Sequence, residues 1–273
     1  MTTSASPLPG SAPLLLRESA GSIAVLTLNR PQARNSLSVA LIEALGVALA
    51  EIAADRAVRA VVLAANGPAF CAGHDLKEMT ARRSDPDRGR AFYTLVMDKC
   101  SAVMQRIVDL PQPVIAAVQG VATAAGCQLV ASCDLAVASQ SAQFATPGVN
   151  IGLFCSTPMV ALSRNVPRKN AMQMLLTGDP IAADEAQRIG LVNRVVPAGT
   201  EREEAVALGC KIAAKSSYLV KLGKGAFYRQ LEMGLADAYR YAAGVMVENM
   251  MARDAEEGIA AFVEKRPPRW EDR

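Results

Sequence analysis

The sequence predicts an α/β fold with a helical C-terminal region, on three observations. Two apolar runs, Val58 to Ala64 and Val114 to Val118, each lead into a small-residue turn and then into helix-forming residues. Apolar residues make up 51% of the 273, enough to fill one large core. Beyond Pro197 the periodic segments all have helical spacing, with no strand pattern between them. The chain therefore divides into a Ser/Thr/Pro/Ala-rich tail over 1–13 expected to be disordered, an α/β core over 14–197, and a helical region over 198–273.

The tail lacks the basic start and apolar centre of a secretory signal, and the expected location is the cytoplasm. Ile23 to Leu28 reads as a strand broken by Asn29-Arg30-Pro31. Leu37, Leu41, Ala44, Ala48 and Ile52 then share one helical face. The strand Val58 to Ala64 leads into Phe70-Cys-Ala-Gly-His-Asp-Leu-Lys-Glu-Met79. Thr80 to Arg90 is polar, contains Pro86 and reads as a mobile surface segment; Arg82, Arg83, Arg88 and Arg90 either meet phosphates or face solvent. Phe92, Val96, Cys100, Val103 and Ile107 mark an amphipathic helix ended by Pro111. The strand Val114 to Val118 feeds the stretch Gly120 to Ala138, with a helix starting at Ala125. Strands are expected at 135–138 and 143–145. The loop Gly148 to Thr157 should line the same cleft, with Ser156 and Thr157 capping a helix opened by Pro158. Short helices at 172–176 and 184–189, a stop at Gly190 and a strand over 191–196 complete the core. Helices are expected over 201–215, 218–230, 235–251 and 255–265.

The chemistry lies in the two small-residue turns. The first N–H groups of a helix have no partner within it, and the helix dipole adds partial positive charge there. Ala124, Ala125 and Gly126 are small enough for a ligand to approach the backbone. Taken singly, each turn is also what tight strand–helix packing requires. Two donors gripping one carbonyl oxygen would form an oxyanion hole, each donor lowering a barrier by roughly 2.7–4 kcal/mol. Other classes find little support. The net charge of +3 and 4% aromatic content give no nucleic-acid footprint. No run approaches the ~18 apolar residues of a membrane span. Six cysteines without metal spacing and a single histidine give no zinc site and no Ser-His-Asp triad, and suggest free thiols in a reducing compartment.

Together and in this order, Ala72-Gly73-His74-Asp75-Leu76 and Ala124-Ala125-Gly126 through Cys133-Asp134 resemble the enoyl-CoA hydratase/isomerase (crotonase) family. Leu28-Asn29-Arg30-Pro31, Phe144-Ala145-Thr146-Pro147, Gly190-Leu191-Val192 and Ala261 to Arg266 agree with it, so the resemblance covers about residues 14 to 270. It implies a crotonase-like spiral of ββα units, followed by helices that build homotrimers, commonly paired into homohexamers. It implies an acyl-CoA thioester as ligand, coenzyme A being part of the substrate and no separate cofactor or metal being needed. By resemblance the oxyanion donors are the N–H groups of His74 and Ala125, with Ala125 standing where Gly is usual. The substrate-binding set is Arg34, Ala72, His74, Asp75, Leu76, Ala125 and Cys155, the backbone of 72–76 lining the adenine and pantetheine path.

The departures from the family pattern matter as much. Hydratases carry glutamates where this chain has Gln128 and Gly148. An amide cannot take a proton near neutral pH, and glycine has no side chain. Each lost acid/base group typically costs ~10²–10⁴ in rate, so efficient hydration by two glutamates is not expected. His74 is the candidate substitute, or a side chain that only packs. Asp75 is expected to cap the next helix, and Asp134 to tie the fold together. Glu256-Glu257-Gly258 lacks the lysine many members place before Glu-Gly, leaving Arg253 or Lys265 to compensate or coenzyme A affinity to fall. The expected function is an enzyme that stabilises a thioester enolate, nominally an enoyl-CoA hydratase. The alternatives are decarboxylation, which needs the least acid/base equipment, and a non-catalytic acyl-CoA binder.

Overall fold

The computed structural model describes residues 12–273, so the tail expected to be disordered lies almost wholly outside the described residues. Two antiparallel strands come first, β1 (Leu15–Ala20) and β2 (Ile23–Leu28), then α1 (Val39–Ala54). Three ββα units follow. The first holds β3 (Ala60–Ala65), β4 (Ala69–Cys71), α2 (Leu76–Ala81) and α3 (Arg90–Asp109). The second holds β5 (Val114–Val118), β6 (Val121–Thr123) and α4 (Ala125–Ser132). The third holds β7 (Leu135–Ser139), β8 (Gln143–Ala145), α5 (Pro158–Asn165) and α6 (Arg168–Thr177). Next come β9 (Ile181–Ala182), α7 (Ala183–Arg188) and β10 (Arg194–Val196). The helices α8 (Glu201–Ala213), α9 (Ser217–Leu231), α10 (Leu235–Met251) and α11 (Arg253–Glu264) end the chain.

Each unit gives its first strand to one sheet and its second to another. The six-stranded sheet runs β1-β2-β3-β5-β7-β10, parallel except for the β1–β2 pair, and the four-stranded sheet runs β4-β6-β8-β9. The large sheet is covered on both faces, which is why its strands read as unbroken apolar runs. Val61 and Leu63 of β3 face the core built with α1 and α3, while Ala60, Val62 and Ala64 face a second cluster with Ala205 of α8. β2 and β5 alternate in the same way. Thus α8, beyond the last strand, forms a layer over the α/β core.

The strands at Val114–Val118 and Gln143–Ala145 and the helix start at Ala125 coincide with the sequence expectations. Three differ. Thr80 to Arg90 is structured: Arg82 sits 5.0 Å over the Phe92 ring, the Tyr93 hydroxyl donates to the Met79 carbonyl, and Asp87 accepts the Gly89 and Ala91 N–H groups. Thr157 precedes α5 without a side-chain cap, and the Ser156 hydroxyl turns back to the Phe154 carbonyl instead. The strand expected over 191–196 is shortened to its last three residues, because Leu191 and Val192 bond back to Ala186.

A buried polar knot fastens the C-terminal helices to the core. Lys224 Nζ of α9 donates to Asp134 at 2.7 Å and to the carbonyls of Ile107 and Gln112 at 3.0 and 3.1 Å. Asp134 also accepts the Tyr228 hydroxyl at 2.9 Å and the Val114 N–H at 2.6 Å. Asp134 therefore ties the fold together, as its place after α4 suggested. Removing one partner strands the other charge and two carbonyls away from water. Lys224→Met is expected to lower the unfolding free energy by about 3–5 kcal/mol. Urea denaturation checks this; a loss under about 1 kcal/mol would mean that the pair is effectively solvated.

Candidate active site at the ends of the short sheet

The residues singled out by sequence meet at one edge of the four-stranded sheet. β4, β6 and β8 are parallel neighbours, so their C-terminal ends lie side by side. Ala72 to Asp75 follow β4, Ala124 and Ala125 follow β6, and Thr146 to Gly148 follow β8. In α/β structures the carboxyl ends of parallel strands are where ligands bind. Gln128 stands one turn into α4, its N–H bonded to the Ala124 carbonyl at 3.0 Å.

The first two turns press against each other. Gly73 has φ +90°, and a Cβ on it would lie 2.9 Å from the Ala124 Cβ and 3.4 Å from the Ala125 nitrogen. A Cβ on Gly126 would collide with the Cys71 carbonyl oxygen. The Leu37 N–H donates to the Gly73 carbonyl at 2.7 Å, and the Asp75 N–H to the Leu37 carbonyl at 3.1 Å. This bridge pairs Leu37 with His74 and leaves the His74 N–H on the other side, with no acceptor among the described residues. The Ala125 N–H opens α4 and likewise has none. Ala124, the residue before it, holds φ +51° and ψ −118°, a region that costs a non-glycine residue roughly 1–3 kcal/mol.

The side chains around these amides are neutral. His74 has both ring nitrogens buried without a partner. Burial pushes its pKa below the ordinary histidine value, the nearby Leu37 carbonyl opposing only in part. Gln128 and Thr146 are 4% and 0% exposed, and the Gln128 Oε1 and Thr146 Oγ1 atoms are also unpartnered. Thr146 was not singled out from sequence; its only signal was its position between Ala145 and Pro147. Burial pushes the Cys71 and Cys127 thiols up to about 12, and raises Cys155. All six thiols are free.

Two expected ligand contacts are otherwise engaged. Asp75 accepts the Lys77 and Glu78 N–H groups as the cap of α2 and pairs with Arg30 at 3.0 Å. Burial would raise its pKa, but the Arg30 guanidinium and the capping amides hold it below the usual aspartate value. Its side chain is thus structural. Arg253 is bound to Glu256 at 2.6 Å and lies near Glu271. Arg34 differs: its carbonyl accepts the Ala72 N–H at 3.0 Å, its side chain is exposed, and its guanidinium has no partner among the described residues. Leu76, which follows Asp75 in the chain, is exposed.

The fold and the order of these turns are those of acyl-CoA hydratases and isomerases, and a family model for enoyl-CoA hydratase/isomerase matches residues 18–273. The chain belongs to that family. It is similar to the mitochondrial enoyl-CoA hydratase domain-containing protein 3 of Rattus norvegicus, 49% identical over 245 residues, or 90% of this chain and 80% of the rat protein. The crystal structure of the human protein of that name superposes with a TM-score of 0.89 at 46% identity, over 94% of this chain and all of that one (100%). A Mycobacterium smegmatis enoyl-CoA hydratase structure matches with a TM-score of 0.90 at 54% identity, over 95% and 99% of the two chains. The cytoplasmic location expected from sequence is overturned by these relatives, since the rat, human and Xenopus laevis proteins are mitochondrial. Free thiols suit either reducing compartment, and the lack of a secretory pattern does not separate the two.

His74 is the single histidine of the chain, so its ring proton signal is unambiguous in an NMR titration. Its native pKa is expected below ~6.5. Because the native state then disfavours the protonated ring, its contribution is fully present above pH ~6.5 and is lost as pH falls. The stability difference between wild type and His74→Gln should therefore shrink as the pH falls below about 6.5. A native pKa at or above the ordinary value would remove this reading.

Proposed function

We propose that the protein binds acyl-CoA thioesters and stabilises their enolates between the N–H groups of His74 and Ala125. The observation that carries this is the packing of Gly73 on Ala124 and Ala125, which brings two acceptor-free amides from separate turns to one place. Donors fixed in advance, one of them at a helix N-terminus, favour oxygen charge as it develops. The Ala72 to Leu76 backbone would carry the pantetheine and adenine, with the Arg34 guanidinium meeting phosphate. Coenzyme A is then part of the substrate, and no further cofactor is required.

The neutral surroundings argue against ordinary hydration. Neither Gln128 nor Gly148 can move a proton, and burial disfavours the imidazolium that His74 would become on taking one. Loss of CO₂ from a carboxylated acyl group asks for less. The C–C bond electrons pass to C2 and the thioester oxygen as CO₂ leaves, the two amides hold the enolate, and a proton from water then takes the place of the CO₂ at C2. The same neutrality is compatible with a binder that performs no turnover. The exposed apolar residues Leu235, Tyr239, Met251 and Phe262, each more than 70% exposed on the C-terminal helices, support self-association into a trimer or hexamer.

Acyl-CoA thioesters are expected to raise the melting temperature, because a ligand of the native state alone must stabilise it. No shift with any of a panel that includes malonyl-type thioesters would reject thioester binding. Crotonyl-CoA should be hydrated at least ~10²-fold more slowly than by a two-glutamate relative; comparable turnover would show that the lost carboxylates do not matter. Sedimentation velocity should give three or six copies, and Leu235→Glu with Phe262→Glu should dissociate them. A wild-type monomer would exclude the assembly.

A further inference from the structure

Two buried side-chain atoms, Gln128 Oε1 and Thr146 Oγ1, have no protein partner among the described residues, and on the proposed reading they lie toward the acyl end of the ligand. Next to Thr146 in the chain, the space for a side chain at 148 is already filled. Gly148 is buried, and its φ lies outside the left-handed region, so backbone freedom does not explain a glycine there. A Cβ at this position would stand 2.9 Å from Cys155 Sγ, 3.1 Å from the Leu153 carbonyl oxygen and 3.3 Å from the Cys155 nitrogen. The loop is fastened in that pose by the Leu153 N–H on the Gly148 carbonyl at 2.9 Å and by the Met159 N–H on the Cys155 carbonyl at 2.9 Å. Cys155 is itself buried, 7% exposed, and packs in the main core cluster.

We propose that Cys155 is a specificity-determining residue, whose Sγ occupies the volume of a side chain at 148 and so bars an acid or base from that side of the acyl compartment. This rests on the acyl-CoA reading above. The missing second carboxylate is then only part of the departure from the family pattern, because Cys155 and Leu153 also fill the place of a side chain there. Cys155 does not replace it, because burial keeps the thiol protonated even though the Gly148 N–H opposes this. Substrates are limited to those whose enolate forms without proton transfer from residue 148.

The test is a pair of comparisons in the full chain. In the stability comparison, Gly148→Ala is made in wild type and in Cys155→Ala. It should lower the melting temperature by at least about 2–4 °C in wild type and by less than half as much beside Ala. Equal losses overturn the steric claim. In the activity comparison with crotonyl-CoA, adding Cys155→Ala to Gln128→Glu/Gly148→Glu should raise the rate at least ~10²-fold over the double variant, because only then is the carboxylate at 148 admitted. A double variant as fast as the triple overturns the proposal. So does a folded triple variant that is stabilised by crotonyl-CoA yet gains nothing. If no acyl-CoA stabilises even the wild type, the acyl-CoA reading fails, and the melting comparison alone decides the packing of Cys155 on Gly148.

Discussion

The start of α4 lies so close to the end of β4 that no atom fits between Gly126 and the Cys71 carbonyl. That contact fixes where the helix begins relative to the loop carrying His74. Gly73, at φ +90°, makes the reciprocal approach to Ala124. Both positions require the absence of a side chain for these two turns to touch. Ala124 carries the cost as backbone strain. The strain is sustained because α4 is held at its other end as well, through Asp134 on Lys224, Tyr228 and Val114. A short helix pinned at both ends keeps its first N–H groups in place without help from a ligand, which is the condition under which fixed dipoles act most strongly.

The same packing sets the charge of the site. Each acidic side chain near the turns is spent on structure. Asp75 caps α2 and pairs with Arg30, while Glu78 accepts the Val39 N–H at the start of α1. What remains unpartnered near the turns is an imidazole whose protonation burial disfavours, an amide oxygen and a hydroxyl. With no carboxylate left over, the partial positive charge of the α4 N-terminus is not offset. Negative charge on a ligand is favoured there, and general-base chemistry by the protein is not.

Much of this was legible in the residues. The strand at Val114–Val118 and the helix start at Ala125 follow from composition, because a long buried run and a small-residue turn are strong local signals. The strands β4 and β6 were not legible. Three residues carry no period, and their order in the sheet comes from the ββα repeat rather than from their own sequence. Thr146 escaped for the same reason, since its importance depends on β8 lying next to β6. The packing of Cys155 on Gly148 depends on a loop that returns over seven residues, and no spacing rule anticipates it. Asp75 was read from both sides, as a helix cap and as part of the binding set. Its side chain is the cap and also pairs with Arg30 across 45 residues, while the binding reading concerned its backbone.

Family membership and reaction therefore rest on different atoms. The scaffold rests on backbone amides and glycines at close approaches, tied to the C-terminal helices by the Asp134–Lys224 ion pair. An oxyanion donor contributes roughly 2.7–4 kcal/mol to a transition state, and a lost acid or base costs a similar amount, ~10²–10⁴ in rate. On the proposed reading the chain keeps the first contribution and has given up the second. The two are independent, because one is carried by N–H groups whose positions the fold dictates and the other by side chains at 128 and 148. A cleft of this kind suits reactions in which the substrate brings its own electron pair to the enolate. The leaving carboxylate of a decarboxylation does so, and a water that must first be deprotonated does not.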